Sequence, residues 1–471
     1  MSGVPIGKAK YPDETSVYRN IDNVEELSKL PEDEPCTVYE LIQTAFEKFK
    51  DEYYLGSIIK DKSTGQPGDQ VKWRTFGEVK DYVDKLANGL WHLIGKDTNS
   101  SSENKQSTVA FYGPNSFELW TGDLACSYHK LISVGIFDTY GEDTAIEVLN
   151  NCEASIIFTT SHKLPFILAN HNKLKFLKVV VCVDGLLAND TQNSSSAILR
   201  KWAKSTNNIN LLSYEELLKL GTDHTYPLHK PSGEDIAAIC YTSGTSGTPK
   251  GAMQTHLNFI SSTYYSSLIL RNFDERLITF SYLPLAHTYE RVLQYQLLWC
   301  GAQVGFYSGD ITRFLRDIQI IKPVILPSVP RLLNRLKDTI TENYSKSSNE
   351  DTATLFKLGL EAKLSLLKEE GICVHEDWDK LIFNKISQFL GGSIQIIITG
   401  SAPLSEETKD FFKVCLGCIV IEGYGATETS ANVTSNPASS NTPNQVGAPN
   451  GCNEIKLKSV PEMNYLRRDS C

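Results

Sequence analysis

YTSGTSGTPKG, Tyr241 to Gly251, follows directly on the apolar run Ile236 to Tyr241 and decides how the rest of the chain is read. It is a dense run of Gly, Ser and Thr closed by a lysine. Thr242, Ser243, Gly244, Thr245, Ser246, Gly247, Thr248 and Lys250 together make a phosphate-wrapping loop. Glycines let backbone N–H groups turn inward, hydroxyls donate to phosphate oxygens, and Lys250 brings a positive charge. A P-loop needs Gly immediately before its Lys and Ser or Thr after it. Here Pro249 precedes Lys250 and Gly251 follows, so that motif is excluded on spelling. A plain flexible Gly/Ser loop is the bland alternative.

Two further apolar runs end in stretches of the same kind. Ile394 to Ile398 leads into TGSAPLS, Thr399 to Ser405, whose small residues Gly400, Ser401 and Ala402 could lie flat against a ring. Cys418 to Ile421 leads into EGYGATET, Glu422 to Thr429. Tyr424, between Gly423 and Gly425, can present its ring face to a planar base. Beyond Ala426, Thr427 offers a hydroxyl to phosphate and Glu428 a carboxylate to a hard cation such as Mg²⁺. All three motifs follow strand ends, where open α/β sheets place ligands. Each of the last two alone is more simply a turn.

Further buried strands are expected at Ser107 to Tyr112, Ser155 to Thr159, Lys178 to Val183 and Val324 to Leu326. They lack strict alternation, as parallel strands covered on both faces should. Amphipathic helices are expected over Thr75 to Ile94, Glu142 to Asn151, Ile311 to Ile320 and Thr354 to Lys368. Exposed loops are expected at Thr98 to Ser107, Ala188 to Ala197, Ser345 to Thr354 and Ser435 to Asn444. The fold class is therefore α/β. The 471 residues carry 46 Lys+Arg against 56 Asp+Glu, a net charge of -10, which gives nucleic acid no electrostatic grip. No secretory signal and no apolar run long enough to span a bilayer is read. Eleven scattered cysteines fit a reducing compartment. Cys415-Leu-Gly-Cys418, lacking a second pair, reads as two buried thiols rather than a zinc site.

Together these stretches resemble the adenylate-forming, AMP-binding superfamily, and within it the eukaryotic long-chain fatty acyl-CoA synthetases. The resemblance extends through WRTFGEV (Trp73 to Val79), Glu118 to Trp120, DLAC (Asp123 to Cys126), FDTYG (Phe137 to Gly141), LPLAHTYER (Leu283 to Arg291), VPRLLNR (Val329 to Arg335), WDKLIFNKI (Trp378 to Ile386) and CNEIKL (Cys452 to Leu457). It implies a two-step reaction in which a fatty acid carboxylate attacks the α-phosphorus of MgATP and the thiol of coenzyme A then displaces AMP. It also implies that Thr242 to Lys250 wrap the β,γ-phosphates, that Gly400, Ser401 and Ala402 border the adenine, and that Glu422, Gly423, Tyr424, Gly425, Ala426 and Thr427 complete the nucleotide site. Thr427 then meets the α-phosphate, and Glu428 holds Mg²⁺ with help from Thr242. His287 lines the route to the reacting carboxylate. Arg291 stands where bacterial relatives carry an aromatic acyl gate. A spelled TGD, Thr121-Gly122-Asp123, lies where the family has no ribose contact and reads as coincidence within a helix.

By the same resemblance, residues 1–38 form an N-terminal arm and 39–471 the adenylation domain, with subdomains at about 39–235 and 236–445 and part of a β-rich subdomain at 446–471. The family continues past this point to a ribose-binding Asp, a hinge and a mobile C-terminal domain with a catalytic Lys. Here the sequence reads LRRDSC, Leu466 to Cys471, and stops. The expectation is a truncated ligase of little activity by itself. A non-catalytic binder of ATP or fatty acid, and a ligase for another carboxylic acid, are the alternatives. A long-chain acid implies peripheral association with the cytoplasmic side of an intracellular membrane, at the endoplasmic reticulum, lipid droplets or peroxisomes, and no secretion.

Overall fold

A computed structural model describes residues 3–61, 64–95, 106–186, 195–205, 209–242, 247–271, 273, 276–345, 350–437 and 445–466. The chain divides into two compact units, Pro35–Ile260 with Ser281–Phe314, and Met1–Glu34 with Ser261–Phe280 and Leu315–Cys471.

The first unit is built on a seven-stranded sheet. From one edge its strands are Lys250–Thr255, Ile236–Thr242, Ile132–Ile136, Thr108–Tyr112, Ile156–Thr159, Val179–Cys182 and Asn210–Ser213. All neighbours run parallel except the edge hairpin of Lys250–Thr255 on Ile236–Thr242. TVAFY, ISVGI, IIFT and VVVC are buried at every position. Runs of that kind have no solvent face to alternate toward. From Thr108–Tyr112 the chain moves to one side, to Ile132–Ile136, and then to the other, to Ile156–Thr159. The ends of Thr108–Tyr112 and Ile156–Thr159 therefore border a topological switch point, the usual ligand crevice of such sheets. A separate ladder pairs Gln303–Phe306 with Tyr53–Lys60, and that strand with Pro67–Thr75.

In the second unit the strands Ile278–Ser281, Ile325–Ser328, Ile396–Thr399 and Ile419–Ala426 run parallel, and Ala431–Ser435 and Ala448–Pro449 continue antiparallel. Residues 3–20 belong here. They form a hairpin, Gly3–Ile6 on Val17–Asn20, and Tyr18 exchanges backbone hydrogen bonds with Ile455 at 2.7 and 2.9 Å. Helix Glu406–Leu416 opens on Ser405, whose hydroxyl accepts the Thr408 N–H, and closes on Gly417 at φ +63°. Cys415 and Cys418 are buried, and burial pushes both thiols above their ordinary range.

Four expectations need correction. Glu350 to Thr354 are not loop but the first turn of helix Glu350–Glu370, where Glu350 and Asp351 suit the positive end of the helix dipole. Ser195 to Ala197 likewise begin helix Ser195–Ser205, and Ser435 ends a strand. The stretch from Ile311 is a short turn, Ile311–Arg313, capped by Asp310, before helix Phe314–Ile321. Among the described residues no helix is long and apolar enough to cross a membrane.

Candidate functional site

The Tyr241 to Gly251 stretch is the mouth of a hairpin. Ile236–Thr242 and Lys250–Thr255 close with Thr242 opposite Lys250, and Thr242 Oγ1 donates to the Lys250 carbonyl at 3.4 Å. Its base is stiff. The Tyr241 hydroxyl donates to Asn151 Oδ1 at 2.5 Å, and a Cβ on Gly251 would come within 2.6 Å of Ile239 Cγ2. Gly247 takes φ +83°, a conformation glycine adopts at no steric cost. Thr248 and Lys250 are exposed, which leaves a hydroxyl and an ammonium available to an anion. Ser243, Gly244, Thr245 and Ser246 lie outside the described residues.

In the same unit, LPLAHTYER leads into helix Thr288–Cys300. His287 is its N-cap, with Nδ1 accepting the Tyr289 N–H at 3.1 Å. That bond puts the imidazole proton on Nε2. Burial lowers the ring's pKa, so it is a neutral donor at neutral pH. Asn115 fixes the approach to His287: its Nδ2 donates to the Leu283 carbonyl at 2.5 Å and its Oδ1 accepts the Leu285 N–H at 3.0 Å. The next residue, Ala286, is pressed on Gly135, where a Cβ would meet its Cα at 2.5 Å. A small pocket lined by Phe111, Asn115, Ile136, Tyr282 and Leu285 among others lies beyond the ends of strands Thr108–Tyr112 and Ile132–Ile136. The sequence reading missed Asn115; its only signal was its place in GPN just past a strand end.

Arg291 sits one turn along the helix and is not a surface group. Its Nη1 donates to both oxygens of Asp123 at 2.8 Å and its Nη2 to Ser133 Oγ at 3.1 Å, with both charged side chains 1% exposed. The TGD spelling is thereby explained by packing. Thr121 Oγ1 donates to the Phe117 carbonyl at 2.8 Å, Gly122 makes room for Phe158 and Phe111, and Asp123 is the partner of Arg291.

Glu290 is also buried. Oε1 accepts from Ser281 Oγ at 2.6 Å and Gln294 Nε2 at 2.7 Å, while Oε2 has no partner among the described residues. Burial pushes its carboxyl from 4.5 up to about 7, the Ser281 and Gln294 bonds opposing only in part. An acid with a raised folded pKa stabilises the fold fully below its unfolded pKa, and that stability is lost as pH rises through the folded one. We expect stability to fall by about 3 kcal/mol between about pH 4.5 and pH 8 on account of this group. Glu290→Gln should flatten that slope in urea unfolding curves. An unchanged pH dependence would show that Glu290 ionises normally.

The second unit carries the other two motifs. Thr399 pairs with Glu422 across the parallel ladder, and a Cβ on Gly400 would come within 3.1 Å of the Gly423 carbonyl oxygen. The turn Gly400, Ser401, Ala402 is thus brought beside the strand that carries Tyr424. Ser401 holds φ +70°, uncommon for a residue with a side chain, and Ser401 and Ala402 are exposed. The Tyr424 ring is 57% exposed. Gly425 is where Ala431–Ser435 turns back most tightly: a Cβ would lie 1.3 Å from the Ala431 carbonyl oxygen. Ala426 N–H donates to Thr429 Oγ1 at 3.0 Å, bracing the turn Thr427–Thr429. Glu428 is exposed within it. A single exposed carboxylate fits a Mg²⁺ shared with nucleotide phosphates rather than a dedicated protein cage, and the described residues hold no cluster of three metal-ligating side chains. Glu422 differs from its neighbours in pointing inward, 6% exposed, toward Lys409.

Comparison with known proteins agrees with this geometry. The AMP-binding enzyme family matches residues 54–470. The peroxisomal long chain acyl-CoA synthetase 7 of Arabidopsis thaliana is 35% identical over 457 residues, covering 96% of this chain and 62% of that protein. Long-chain-fatty-acid–CoA ligase 5 of Rattus norvegicus is 32% identical over 407 residues, 85% of this chain and 57% of its own length. The chain therefore spans about three-fifths of the length of these relatives. Among solved structures, the adenylation domain of a carboxylate reductase from Mycobacterium chelonae superposes with a TM-score of 0.68 at 19% identity, covering 86% of this chain and 60% of that one. With a Gly/Ser/Thr–Lys hairpin in one α/β unit and a Gly-flanked tyrosine at a strand end of the other, and with the family match spanning most of its length, the chain belongs to the AMP-binding enzyme family.

Proposed function

We propose that this chain is the adenylation portion of a long-chain fatty acyl-CoA synthetase, binding MgATP and a fatty acid and forming an acyl-adenylate that reacts on to acyl-CoA. The observation that carries the reading is the pairing of Thr399 with Glu422, which sets the small-residue turn Gly400 to Ala402 beside the exposed Tyr424 ring, a slot suited to a planar base. Relatives named as long-chain acyl-CoA synthetases supply the acid.

In this reading Tyr424 stacks on adenine, Thr427 donates to the α-phosphate, and Thr242, Thr248 and Lys250 hold the β,γ-phosphates with the intervening loop. Glu428 would hold Mg²⁺, with Thr242 assisting; the ion neutralises phosphate charge when bound. Lys250 draws negative charge toward the leaving pyrophosphate, and His287 offers its Nε2–H to the acyl carboxylate or the adenylate. No side chain is needed as a covalent nucleophile, since the substrate carboxylate attacks. Catalysis is then positioning and charge stabilisation. Arg291, pinned by Asp123, is held in the core and is not free to swing as a gate over an acyl path. Coenzyme A as second substrate, and contact with a cytoplasmic membrane face where long-chain acids reside, belong to the same proposal.

The test is exchange of labelled pyrophosphate into ATP with palmitate, octanoate or benzoate as the acid. Palmitate-dependent exchange is expected, falling about 10²–10³-fold in Lys250→Ala. Preference for benzoate would overturn the long-chain assignment. MgATP binding without exchange on any acid would favour the non-catalytic binder.

A further inference from the structure

Lys409 lies on helix Glu406–Leu416 with only 3% of its surface exposed, and its motif neighbours give no reason for an ammonium there. Its Nζ is 2.8 Å from Glu406 Oε1 and 3.0 Å from Glu422 Oε2. Burial disfavours its charge, but the two carboxylates more than offset that and hold its pKa above the ordinary lysine value. The second oxygen of Glu422, Oε1, accepts the N–H of Leu404 at 3.2 Å. One carboxylate therefore joins the buried ammonium to the amide that ends the Gly400 to Leu404 turn.

That turn is under tension. It leaves the sheet against the Gly423 carbonyl and carries Ser401 at φ +70°, a conformation that persists only where the surroundings enforce it. The Leu404 amide is the anchor at its far end, and Glu422 is the residue immediately before Gly423 and Tyr424. The separation between the small-residue turn and the tyrosine strand is thus set by a carboxylate that itself faces away from the slot.

We propose that Glu422 and Lys409 are positioning residues that hold the small-residue turn and the tyrosine strand at the spacing a stacked base needs, and so carry the base-dependent part of nucleotide affinity. The proposal rests on the ATP reading above. It makes the buried ion pair part of base recognition, although neither side chain touches the base.

The experiment is calorimetric binding of MgATP and magnesium tripolyphosphate to the wild-type chain and to Lys409→Met, Lys409→Arg and Glu422→Gln. Tripolyphosphate reports on the Lys250 hairpin without a base. Lys409→Met and Glu422→Gln should weaken MgATP by about tenfold or more and leave tripolyphosphate within about twofold of wild type. Lys409→Arg should restore most of the ATP affinity. If Lys409→Met fails to fold, Glu422→Gln, which keeps the shape and an acceptor for Leu404, decides alone. Unchanged MgATP affinity, or equal loss of ATP and tripolyphosphate in the folded variants, would overturn the proposal and leave a merely structural ion pair. A wild-type chain that binds tripolyphosphate but not MgATP would instead remove the ATP reading, and this proposal with it.

Discussion

Replacing Arg291 by Met is expected to destabilise the protein by about 3–5 kcal/mol, because it strands the Asp123 carboxylate in a site where water cannot reach it. Both side chains are 1% exposed, and the same guanidinium also serves Ser133. The loss is large against the roughly 5–15 kcal/mol that hold typical domains together. Asp123→Asn should cost a similar amount by leaving the guanidinium unpaired. The double variant Asp123→Leu/Arg291→Met should recover much of the loss, since a well-packed apolar pair is often as stable as a buried ion pair. Urea unfolding of the four proteins measures this. A single variant within about 1 kcal/mol of wild type would mean that the pair is open to solvent or readily rearranged.

The second large effect is expected at Gly425. Alanine there would place a carbon 1.3 Å from the Ala431 carbonyl oxygen, and the neighbour that must give way is backbone. Relief requires opening the Ile419–Ala426 and Ala431–Ser435 hairpin next to Tyr424, where the register already shifts between Tyr424 and Gly425. A displacement of about 1 Å at a reacting site can cost about 10²-fold in rate, so Gly425→Ala should reduce palmitate-dependent pyrophosphate exchange by about that factor. It should also weaken MgATP binding while leaving magnesium tripolyphosphate bound. Near-normal exchange would show that the hairpin accommodates the methyl group.

These two predictions mark what could and could not be read in advance. Runs such as VVVC and IIFT announce strands buried on both faces, and the loop Tyr241 to Gly251 announces anion chemistry through composition alone. The edge strand Lys250–Thr255 was not legible, because KGAMQT continues the loop's polar character and gains its ladder only from pairing with Ile236–Thr242. Ile278–Ser281 (ITFS) and Gln303–Phe306 (QVGF) mix polar residues or a glycine with their apolar ones, so they lack the unbroken apolar run that marks VVVC. Polar residues misled at Glu350 to Thr354, since acidic side chains that suit a helix start look like loop. The GYG spelling was visible, but the reason for its second glycine is a carbonyl six residues on. Arg291 and Asp123, 168 positions apart, and Lys409 and Glu422 on different elements are paired by the fold, and no local pattern records such partners.

The hairpin of Gly3–Ile6 and Val17–Asn20 has a consequence for how the protein is made. Its partners are residues near 449–458: Asn20 donates to the Pro449 carbonyl at 2.9 Å, Arg19 meets Glu454 at 2.8 Å, and the Leu457 amide donates to Thr15 across 442 positions of sequence. A ribosome adding about 5–20 residues per second makes the first of these segments wait roughly 20–90 s for the second. All strands of the seven-stranded sheet come from residues up to Thr255, so that sheet can assemble during that interval. Residues 3–20 thus leave the ribosome well before the segment they pair with, and until then the edge of the hairpin is open to chaperones or to another nascent chain.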